Sequence, residues 1–424
     1  MKKTNTNFFR SILLASLLLA SYISQAQMYP FKSAERIISL PIPDSTYVLA
    51  RAIDEKNLLT SYSIPAASYG NFLKTTQGTT ATEYVRIGGS NHVSDFKVLH
   101  DWLFFCGQDN NNTGFVAWTR LDEFFDLSTN NIEIFVLPNI SDVKKIDAYQ
   151  DGQYKYAIVA IGDNQQFIYT GVLCDDYYMY TSPFPLSDVV ATDNHIVVLG
   201  KISLGSLALF THPKVNIQNY FGMSYTHNQA RFENFLIERL FEDNVLVSYT
   251  DCPNDYQAQF VRIDTRTLQP IAQQSLLKVG KPNPKEMVFN PADSTVSYLS
   301  HAVENKDMIA TIKPYLNYSY PSDVVIPNMC KWGYETFNSL TNYRNDYLSA
   351  AGIDTAYSNL YWFDYRRGTN QGSCFRTIKE KVIMSNTFVP ASQQSYWGNQ
   401  TLPRQVQTKQ IQHFSLQYNI ICND

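Results

Sequence analysis

The sequence lacks the short motifs that mark common catalytic and cofactor-binding sites. It contains no GxGxxG or GxxxxGK[ST] phosphate loop, no HExxH or HxH pair and no CxxC pair. The string nearest to a Gly-x-Ser-x-Gly nucleophile elbow, LGSLA from residue 204, has no second glycine. After the first 26 residues, no stretch approaches the ~18 apolar residues that a transmembrane helix needs. The sequence therefore predicts neither a nucleotide-binding enzyme nor a protein that spans a membrane.

Runs of basic residues are also missing. The chain contains 34 Lys and Arg against 38 Asp and Glu, and the first 26 residues hold three of the basic residues and none of the acidic ones. The remainder is therefore mildly acidic. Because nucleic acids and anionic lipids attract clustered positive charge, this composition argues against both as partners.

The first 26 residues have the organisation of a cleaved secretory leader. A positively charged stretch that ends at Arg10 precedes an apolar run from Ser11 to Tyr22, and small residues stand at Ser24 and Ala26. We expect cleavage after Ala26. No cysteine follows that point closely, so a bacterial lipid anchor is not expected. The protein is expected to be exported, either to the periplasm or out of the cell.

Self-similarity is the most informative feature of the rest of the chain. Units open with VSD at residue 93, ISD at residue 140 and LSD at residue 186, so their serines lie 47 and then 46 residues apart. Weaker copies begin near residues 232, 285 and 337. Each unit contains three or four short apolar or alternating runs, separated by turns rich in Asp, Asn and Gly. A period near 45 residues with about four strands per unit is typical of β-propeller blades.

We therefore predict an all-β fold, a seven-bladed β-propeller of four-stranded antiparallel blades, as one domain over residues 27–424. Six blades open near residues 93, 140, 186, 232, 285 and 337. In the last blade, outer strands from residues 40–88 would pair with inner strands from residues 410–424. This pairing would close the ring and remove its exposed sheet edges. Six or eight blades are the alternatives.

Two apolar runs carry a resemblance to known proteins, namely LFFCG from residue 103 and YAIVAIG from residue 156. Together with the leader and the Ser-Asp openings, they resemble the uncharacterised secreted β-propeller proteins of Gram-negative, polysaccharide-degrading bacteria. The resemblance covers nearly all of the chain after the leader. The shared motifs build blades, so the resemblance implies a fold and a compartment but no activity.

The repeated openings place three carboxylates, Asp95, Asp142 and Asp188, at matching points of successive units. If the strands that follow are innermost, these side chains approach the mouth of the channel, where a partial ring of carboxylates would suit Ca²⁺. In the alternative interpretation, each Ser-Asp pair caps backbone N–H groups at the turn into the first strand. A cap explains why the pair recurs once per unit. The sequence favours the cap and predicts no required metal or other cofactor.

Aromatic residues in two segments that interrupt the repeat are the candidate binding residues. Trp332 and Tyr334 lie in PNMCKWGYETF, and Tyr396 and Trp397 lie in a polar stretch between residues 368 and 410. Aromatic rings beside planar amides suit the faces and hydroxyl edges of sugars. Long insertions on a rigid scaffold are common places for binding. The alternative is that these rings pin long loops to the ring of blades.

The leading functional hypothesis is a non-catalytic binding module that recognises a glycan or a protein partner through one face of the propeller. One rival is a hydrolase or lyase that acts on polysaccharide with acidic residues at the channel mouth. Another is a structural protein of an envelope assembly. An enzyme is expected to gather acids with perturbed pKa values in one funnel. A glycan binder is expected to expose an aromatic ring there, and an assembly protein an apolar patch elsewhere.

Overall fold

The described part of the chain is built from antiparallel sheets, which confirms the predicted all-β class. The computed structural model describes residues 34–39, 47–63, 69–76, 79, 81–153, 155–163, 165–203, 205–227, 231–252, 257–276, 283–303, 306–327, 335–344, 347–354, 359–367, 375–417 and 419–423. Within these ranges the helix α1 (Leu121–Phe124) is the only helix. No helix there is long and apolar enough to cross a membrane. The expected leader lies outside the described ranges.

Strand β1 (Ala34–Ser39) is followed by antiparallel meanders of four sequential strands. The first are β2–β5 (Tyr47–Ala52, Asn57–Ser63, Tyr69–Thr76, Ala81–Gly88), β6–β9 (Ser90–Leu99, Trp102–Asp109, Gly114–Arg120, Asn131–Leu137), β10–β13 (Val143–Asp151, Lys155–Gly162, Gln166–Gly171, Asp176–Thr181) and β14–β17 (Leu186–Ala191, His195–Ser203, Ser206–Pro213, Phe221–His227).

The later meanders follow the same plan. They are β18–β21 (Arg231–Arg239, Asn244–Cys252, Gln257–Asp264, Gln269–Leu276), β22–β25 (Asn283–Asn290, Thr295–Val303, Lys306–Ile312, Tyr320–Pro327) and β26–β28 (Glu335–Arg344, Tyr347–Asp354, Asn359–Arg366). The last group has three strands of its own, and β1 pairs with β28 as its fourth. The chain ends in β29–β33 (Phe375–Met384, Phe388–Gln394, Gly398–Pro403, Gln405–Gln417, Asn419–Asn423), which we call the belt.

The second strand of each meander is buried on both faces because the meander packs between two neighbours. In β11, for example, every residue after Lys155 is buried. The first strand carries a β-bulge opposite the end of the second strand, as between Val93 and Asp95. A Cβ on Gly107, which faces this bulge, would come within 2.0 Å of the carbonyl oxygen of His92. This close approach explains why the second run of the unit ends in glycine.

The belt strands add a fifth strand outside the meanders. β29 pairs with β25 and β21, β30 with β17, β31 with β13, β32 with β9 and then β5, and β33 with β1. The C-terminal stretch 410–424 was expected to supply inner strands to a blade shared with residues 40–88, and this expectation is wrong. Strands β2–β5 form a four-stranded meander without C-terminal strands, and β32 pairs with the edge of β5 that faces away from β2–β4.

The belt also contributes side chains to seven hydrophobic clusters between the meanders. These side chains are Phe375, Ile378, Val382, Phe388, Tyr396, Leu402, Ile411 and Leu416, and Ile378 and Val382 belong to the same cluster. Most other side chains of β31 and β32 are exposed. The belt is therefore held by backbone pairing and by one or two apolar side chains in each of these clusters.

The first strands of the meanders lie side by side around a common centre. In order they are β2, β6, β10, β14, β18, β22 and β26, and β26 lies against β2. They begin at residues 47, 90, 143, 186, 231, 283 and 335. We call these seven strands the inner strands, because the candidate site is built from them.

Candidate functional site

A cavity of about 450 Å³ lies at the centre of the inner strands, and all seven contribute to its wall. Its lining is rich in charged side chains. The charged residues are Arg51, Asp95, Lys97, Lys145, Asp147, Asp188, Asp193, Glu238, Arg239, Lys285 and Glu286. The volume lies within the range of roughly 300–1,000 Å³ that is common for small-molecule sites.

Carboxylates that line the cavity join neighbouring inner strands. Five of the six lining carboxylates accept a hydrogen bond from a backbone N–H of the next strand around the centre, at distances between 2.7 and 3.4 Å. The bonds run from Ile146 to Asp95, from Ala191 to Asp147, from Ile237 to Asp188, from Phe289 to Glu238 and from Leu340 to Glu286. The three aspartates also accept the N–H of the residue that follows them, each at 2.9 Å. These acids therefore have a structural role between strands.

Hydroxyl groups make the same connection between the last inner strand and the first. Ser339 Oγ accepts the N–H of Ala50 at 2.8 Å, and Thr341 Oγ1 accepts the N–H of Ala52 at 3.0 Å. Side chains thus connect β26 to β2, 289 residues earlier in the chain. The junction between β2 and β6 is bridged instead by an ion pair, in which Arg51 lies 3.3 Å from Asp95.

Ion pairs neutralise several of the cavity carboxylates. Arg51 contacts Glu286 at 2.6 Å in addition to Asp95, so one guanidinium spans three inner strands. Lys97 lies 3.0 Å from Asp147. These pairs lie on one side of the cavity, around β2, β6, β10 and β22.

The acids of the cavity differ in their affinity for protons. Burial raises the pKa of Asp188 to about 6, although the charge of Lys145 acts against the rise. Burial likewise raises the pKa of Glu238 to about 7 against the charges of Lys97 and Arg239. Burial also acts to raise the pKa of Asp147, but Lys97, Arg239 and the N–H of Ala191 together hold it below its ordinary value. Asp188 and Glu238 thus titrate near neutral pH, whereas Asp147 stays ionised.

Phe241 supplies an aromatic surface to the cavity. Its side chain lines the cavity and is 40% exposed, so part of the ring faces solvent. Phe289, which also lines the cavity, contacts the ring edge-to-face with centroids 4.8 Å apart. Tyr315 Oη accepts the N–H of Phe241 at 2.9 Å and fixes its backbone. The exposed ring is therefore held in place before any ligand arrives.

The turn that carries Phe241 is tightly specified by its sequence. Glu242 and Asp243 both have positive φ, at 58° and 55°, in the turn that joins β18 to β19. Asp243 accepts hydrogen bonds from the backbone and the side chain of Asn194 at 2.7 and 2.6 Å. Asn244 Nδ2 donates to the carbonyl of Phe241 at 2.9 Å. These contacts explain how a turn at the edge of the cavity presents an apolar ring.

The predicted aspartate set does not come together as expected. Asp95 and Asp188 line the cavity at matching positions just after the bulge, but Lys145 occupies the third such position. Asp142 lies before β10 and contacts Ser94 Oγ at 3.0 Å and His92 Nε2 at 3.2 Å. The equivalence of the ISD triplet is therefore wrong, because the bulge aligns Lys145 rather than Asp142 with Asp95.

The structure does not bring together the three aspartates that would form the alternative calcium site. Asp142 is outside the cavity lining that contains Asp95 and Asp188. Over the described ranges, no group of three or more His, Cys, Asp and Glu is placed to hold a metal ion. The sequence favoured a role in which these aspartates cap backbone N–H groups. Asp95 and Asp188 do accept hydrogen bonds from backbone N–H groups of their own strand, and each also accepts one from the neighbouring strand.

The predicted aromatic residues lie away from the cavity where they are described. Tyr396 is buried in a cluster of rings and is 7% exposed. Trp397 is 70% exposed at the turn between β30 and β31 of the belt. Trp332 and Tyr334 lie outside the described residues. The structure therefore does not bring Tyr396 and Trp397 together as one surface.

Sequence reasoning missed Glu238, Lys145 and Phe241. Glu238 and Phe241 belong to FLIERLFEDN, one of the weaker repeat openings, where no Ser-Asp pair marks the register. A signal was present, since Phe241 is an apolar residue placed directly before a polar turn. Lys145 was hidden because the ISD triplet that precedes it suggested the wrong alignment.

No protein-family model matches the chain, and no curated protein matches it either. Among solved structures, it is similar to a crystal structure of BBS1N in complex with ARL6DN, soaked with mercury. The identity is 13% and the TM-score 0.43, over 78% of this chain and 94% of that one. It is also similar to Chaetomium thermophilum Raptor, at 8% identity and a TM-score of 0.42, over 79% of this chain and 29% of that one. At these scores the two similarities carry no argument about function.

Proposed function

We propose that the protein is a seven-bladed β-propeller whose central cavity binds a saccharide without cleaving it. The side-by-side order of the inner strands supports the ring, and so do the bonds from Ala50 and Ala52 to β26. In this arrangement β1 closes the last blade from outside, and the belt adds a fifth strand to the four-stranded blades. The leader-like N-terminus supports export to the periplasm or out of the cell as part of the same proposal.

The exposed ring of Phe241 at the edge of a walled, polar cavity carries the saccharide proposal. A sugar offers a C–H face to an aromatic ring and hydroxyl groups to charged side chains. Phe241 is held by Phe289 and Tyr315, so little conformational freedom is lost on stacking. The cavity is large enough for one or two sugar units, which suits recognition of a glycan end or a short stretch of chain.

The bonding of the cavity acids supports binding rather than catalysis. Both carboxylate oxygens of Asp95, Asp147 and Asp188 accept backbone N–H groups, one within the strand and one from the next strand. A carboxylate engaged in this way is poorly placed to move a proton or attack a substrate. The rigid ring that results is suited to holding a fixed set of polar groups toward a ligand.

A panel of oligosaccharides tests the proposal. Ligand binding to the native state raises the melting temperature, and calorimetry then measures the affinity. We expect Phe241→Ala to weaken the affinity of a ligand found in this way by about tenfold, as the loss of one aromatic stack predicts. Trp397→Ala, which removes an exposed ring of the belt, is the matched control and is expected to bind normally. If Trp397→Ala loses binding and Phe241→Ala keeps it, the cavity is not the site.

Cleavage of polysaccharide is the second candidate, and one observation favours it. Asp147 and Glu238 both line the cavity, and their pKa values are displaced in opposite directions, as in pairs of carboxyl groups that divide acid and base roles. Reducing ends released from a polysaccharide panel measure this activity directly. Cleavage that is abolished by Glu238→Gln, with ligand affinity unchanged, would replace the binding proposal.

A further inference from the structure

We propose that the saccharide held in the cavity carries a protonated amino group, and that this group lies between the carboxylates of Asp188 and Glu238. The inference rests on the proposed function, because it names the class of sugar that the same cavity takes. It follows from an uneven distribution of charge around the cavity wall.

Two cations hold one side of the cavity near charge balance. Arg51 pairs with both Asp95 and Glu286, at 3.3 and 2.6 Å. Lys97 pairs with Asp147 at 3.0 Å. On that side, a carboxylate within the wall faces a guanidinium or an ammonium of the protein itself.

The side formed by β14 and β18 has a different composition. Asp188 and Glu238 lie on these adjacent inner strands, and the N–H of Ile237 joins the strands through Asp188 Oδ2 at 3.4 Å. Among the described residues, no Lys or Arg nitrogen lies within 4.0 Å of either carboxylate. Lys145 acts on Asp188 through space but makes its ion pair with Asp95, at 4.0 Å.

A further cation of the lining is turned away from the cavity. Lys285 Nζ lies 3.0 Å from Asp307, which is not part of the lining, and also donates to the carbonyl of Phe337 at 2.6 Å. Six carboxylates of the lining therefore face only four remaining cations. Asp95, Glu286 and Asp147 have the ion-pair partners described above, whereas Asp188, Glu238 and Asp193 form no ion pair within 4.0 Å among the described residues. Of these three, Asp188 and Glu238 lie on the adjacent inner strands β14 and β18.

An ammonium group would complete this side of the cavity. It has three N–H donors and no acceptor, so it can bond two carboxylates at once. The raised pKa values of Asp188 and Glu238 agree with carboxylates that lack a counter-ion, and a bound cation would lower both. Phe241, three residues after Glu238 in the turn that follows β18, offers its ring to the apolar face of the sugar.

A matched pair of ligands tests the inference by calorimetry. The glucosamine tetramer and the N-acetylglucosamine tetramer share a backbone, but only the first carries protonated amines. At about pH 6.5 we expect the glucosamine tetramer to bind at least roughly tenfold more tightly, as expected for one well-placed charge pair. Between about pH 6.5 and about pH 5 this preference is expected to fall roughly tenfold, because protonation removes the charge of groups that titrate near 6 and 7.

Variants separate the role of the two acids from a general charge effect. Asp188→Asn and Glu238→Gln are each expected to abolish the preference for the glucosamine tetramer over the acetylated tetramer. Glu133→Gln removes the same charge from an exposed position on β9 and is expected to keep the preference. Near-ultraviolet circular dichroism of each variant verifies that the fold is retained.

The outcomes distinguish this inference from the proposed function. Equal binding of both tetramers, with a loss in Phe241→Ala, overturns the amine and leaves saccharide binding standing. Binding of neither tetramer, and of no other sugar in the panel, overturns both. Equally tight binding of a trilysine peptide shows that the ammonium alone is recognised and overturns the amino sugar. Binding of CaCl₂ that depends on Asp188 and Glu238 assigns the two acids to a metal ion instead.

Discussion

Tyr396 Oη lies 3.0 Å from Nε2 of His212, a residue that precedes it by 184 positions. The imidazole donates from Nδ1 to the carbonyl of Ile217 at 2.8 Å, so Nε2 accepts the tyrosine proton. The Tyr396 ring also stacks on Phe210, with centroids 4.2 Å apart. This contact ties the belt to the interior of the fold, where His212 is completely buried. His212 is thus a core residue that joins two distant parts of the chain.

Removal of the Tyr396 hydroxyl is expected to destabilise the protein more than its small size suggests. In Tyr396→Phe the ring keeps its place, but Nε2 of His212 is left buried without a donor. We expect a loss of about 1–3 kcal/mol in the free energy of unfolding, measured by urea denaturation. The neighbouring variant Trp397→Ala removes a larger but exposed side chain and is expected to change the stability by less than about 0.5 kcal/mol. Equal effects of the two variants would contradict the assigned role of the hydroxyl.

The burial of His212 predicts a dependence of stability on pH. Burial lowers the pKa of His212 to about 4, whereas the imidazole of the unfolded chain titrates near ~6.5. Between these values the unfolded state binds a proton that the folded state does not, so stability falls as the pH is lowered. The titration of His212 is expected to lower the free energy of unfolding by about 3 kcal/mol in total, and this full loss is reached near pH ~4.

A variant isolates this contribution from those of the other acids and bases. His212→Gln keeps a donor for Ile217 and an acceptor for Tyr396 but has no proton to bind. Urea denaturation of both proteins at several pH values gives the difference in stability, which is expected to change between about pH 6.5 and about pH 4. If the stability of the wild type and that of His212→Gln change with pH in the same way, His212 does not titrate as inferred.

A second prediction about the belt concerns Phe388 in β30. This side chain is buried between Tyr225 and Tyr249, with ring centroids 4.5 and 5.8 Å away. Phe388→Ala is expected to cost about 3–5 kcal/mol, because a large buried ring leaves a cavity. Val389→Ala, at the next and exposed position of β30, is the control. If both variants unfold at the same urea concentration as the wild type, the belt contributes little to stability.

The repeat made much of the inner architecture predictable, and the inner strands begin close to the expected unit openings. The register within a unit was less accessible. ISD at residue 140 and the true bulge before Lys145 differ by three residues, and only the pairing with β11 reveals which alignment the sheet adopts. A triplet that recurs in sequence therefore need not recur in space.

The belt was not predictable from local pattern alone. Its strands pair with edges that belong to other parts of the chain, and most of their side chains are exposed and polar. From sequence alone such a stretch is interpreted as an insertion, because it shows neither a strict alternation of apolar and polar residues nor the repeat of the meanders. The remaining signal was sparse. Between Phe375 and Leu416, apolar residues that reach a hydrophobic cluster are separated by three to nine positions, with polar residues between most of them.

The position of Arg51 leads to the last prediction. Its guanidinium contacts Asp95 and Glu286, and both acids also bond the backbone of the next inner strand. Arg51→Met retains most of the volume of the side chain but leaves Glu286 without its cation and leaves Asp95 with only the more distant Lys145, at 4.0 Å. We expect a loss of about 3–5 kcal/mol in the free energy of unfolding. High salt is expected to recover little of this loss, because the two carboxylates are largely buried and are therefore poorly screened.

Arg120→Met is the matched control for that experiment, since Arg120 pairs with Asp122 through two hydrogen bonds of 3.0 and 2.8 Å on the surface. Solvent and salt screen such a pair, so its loss is expected to leave the urea midpoint unchanged. An equal change of the urea midpoint in Arg51→Met and Arg120→Met would contradict the stabilising role assigned to the ion pairs of Arg51.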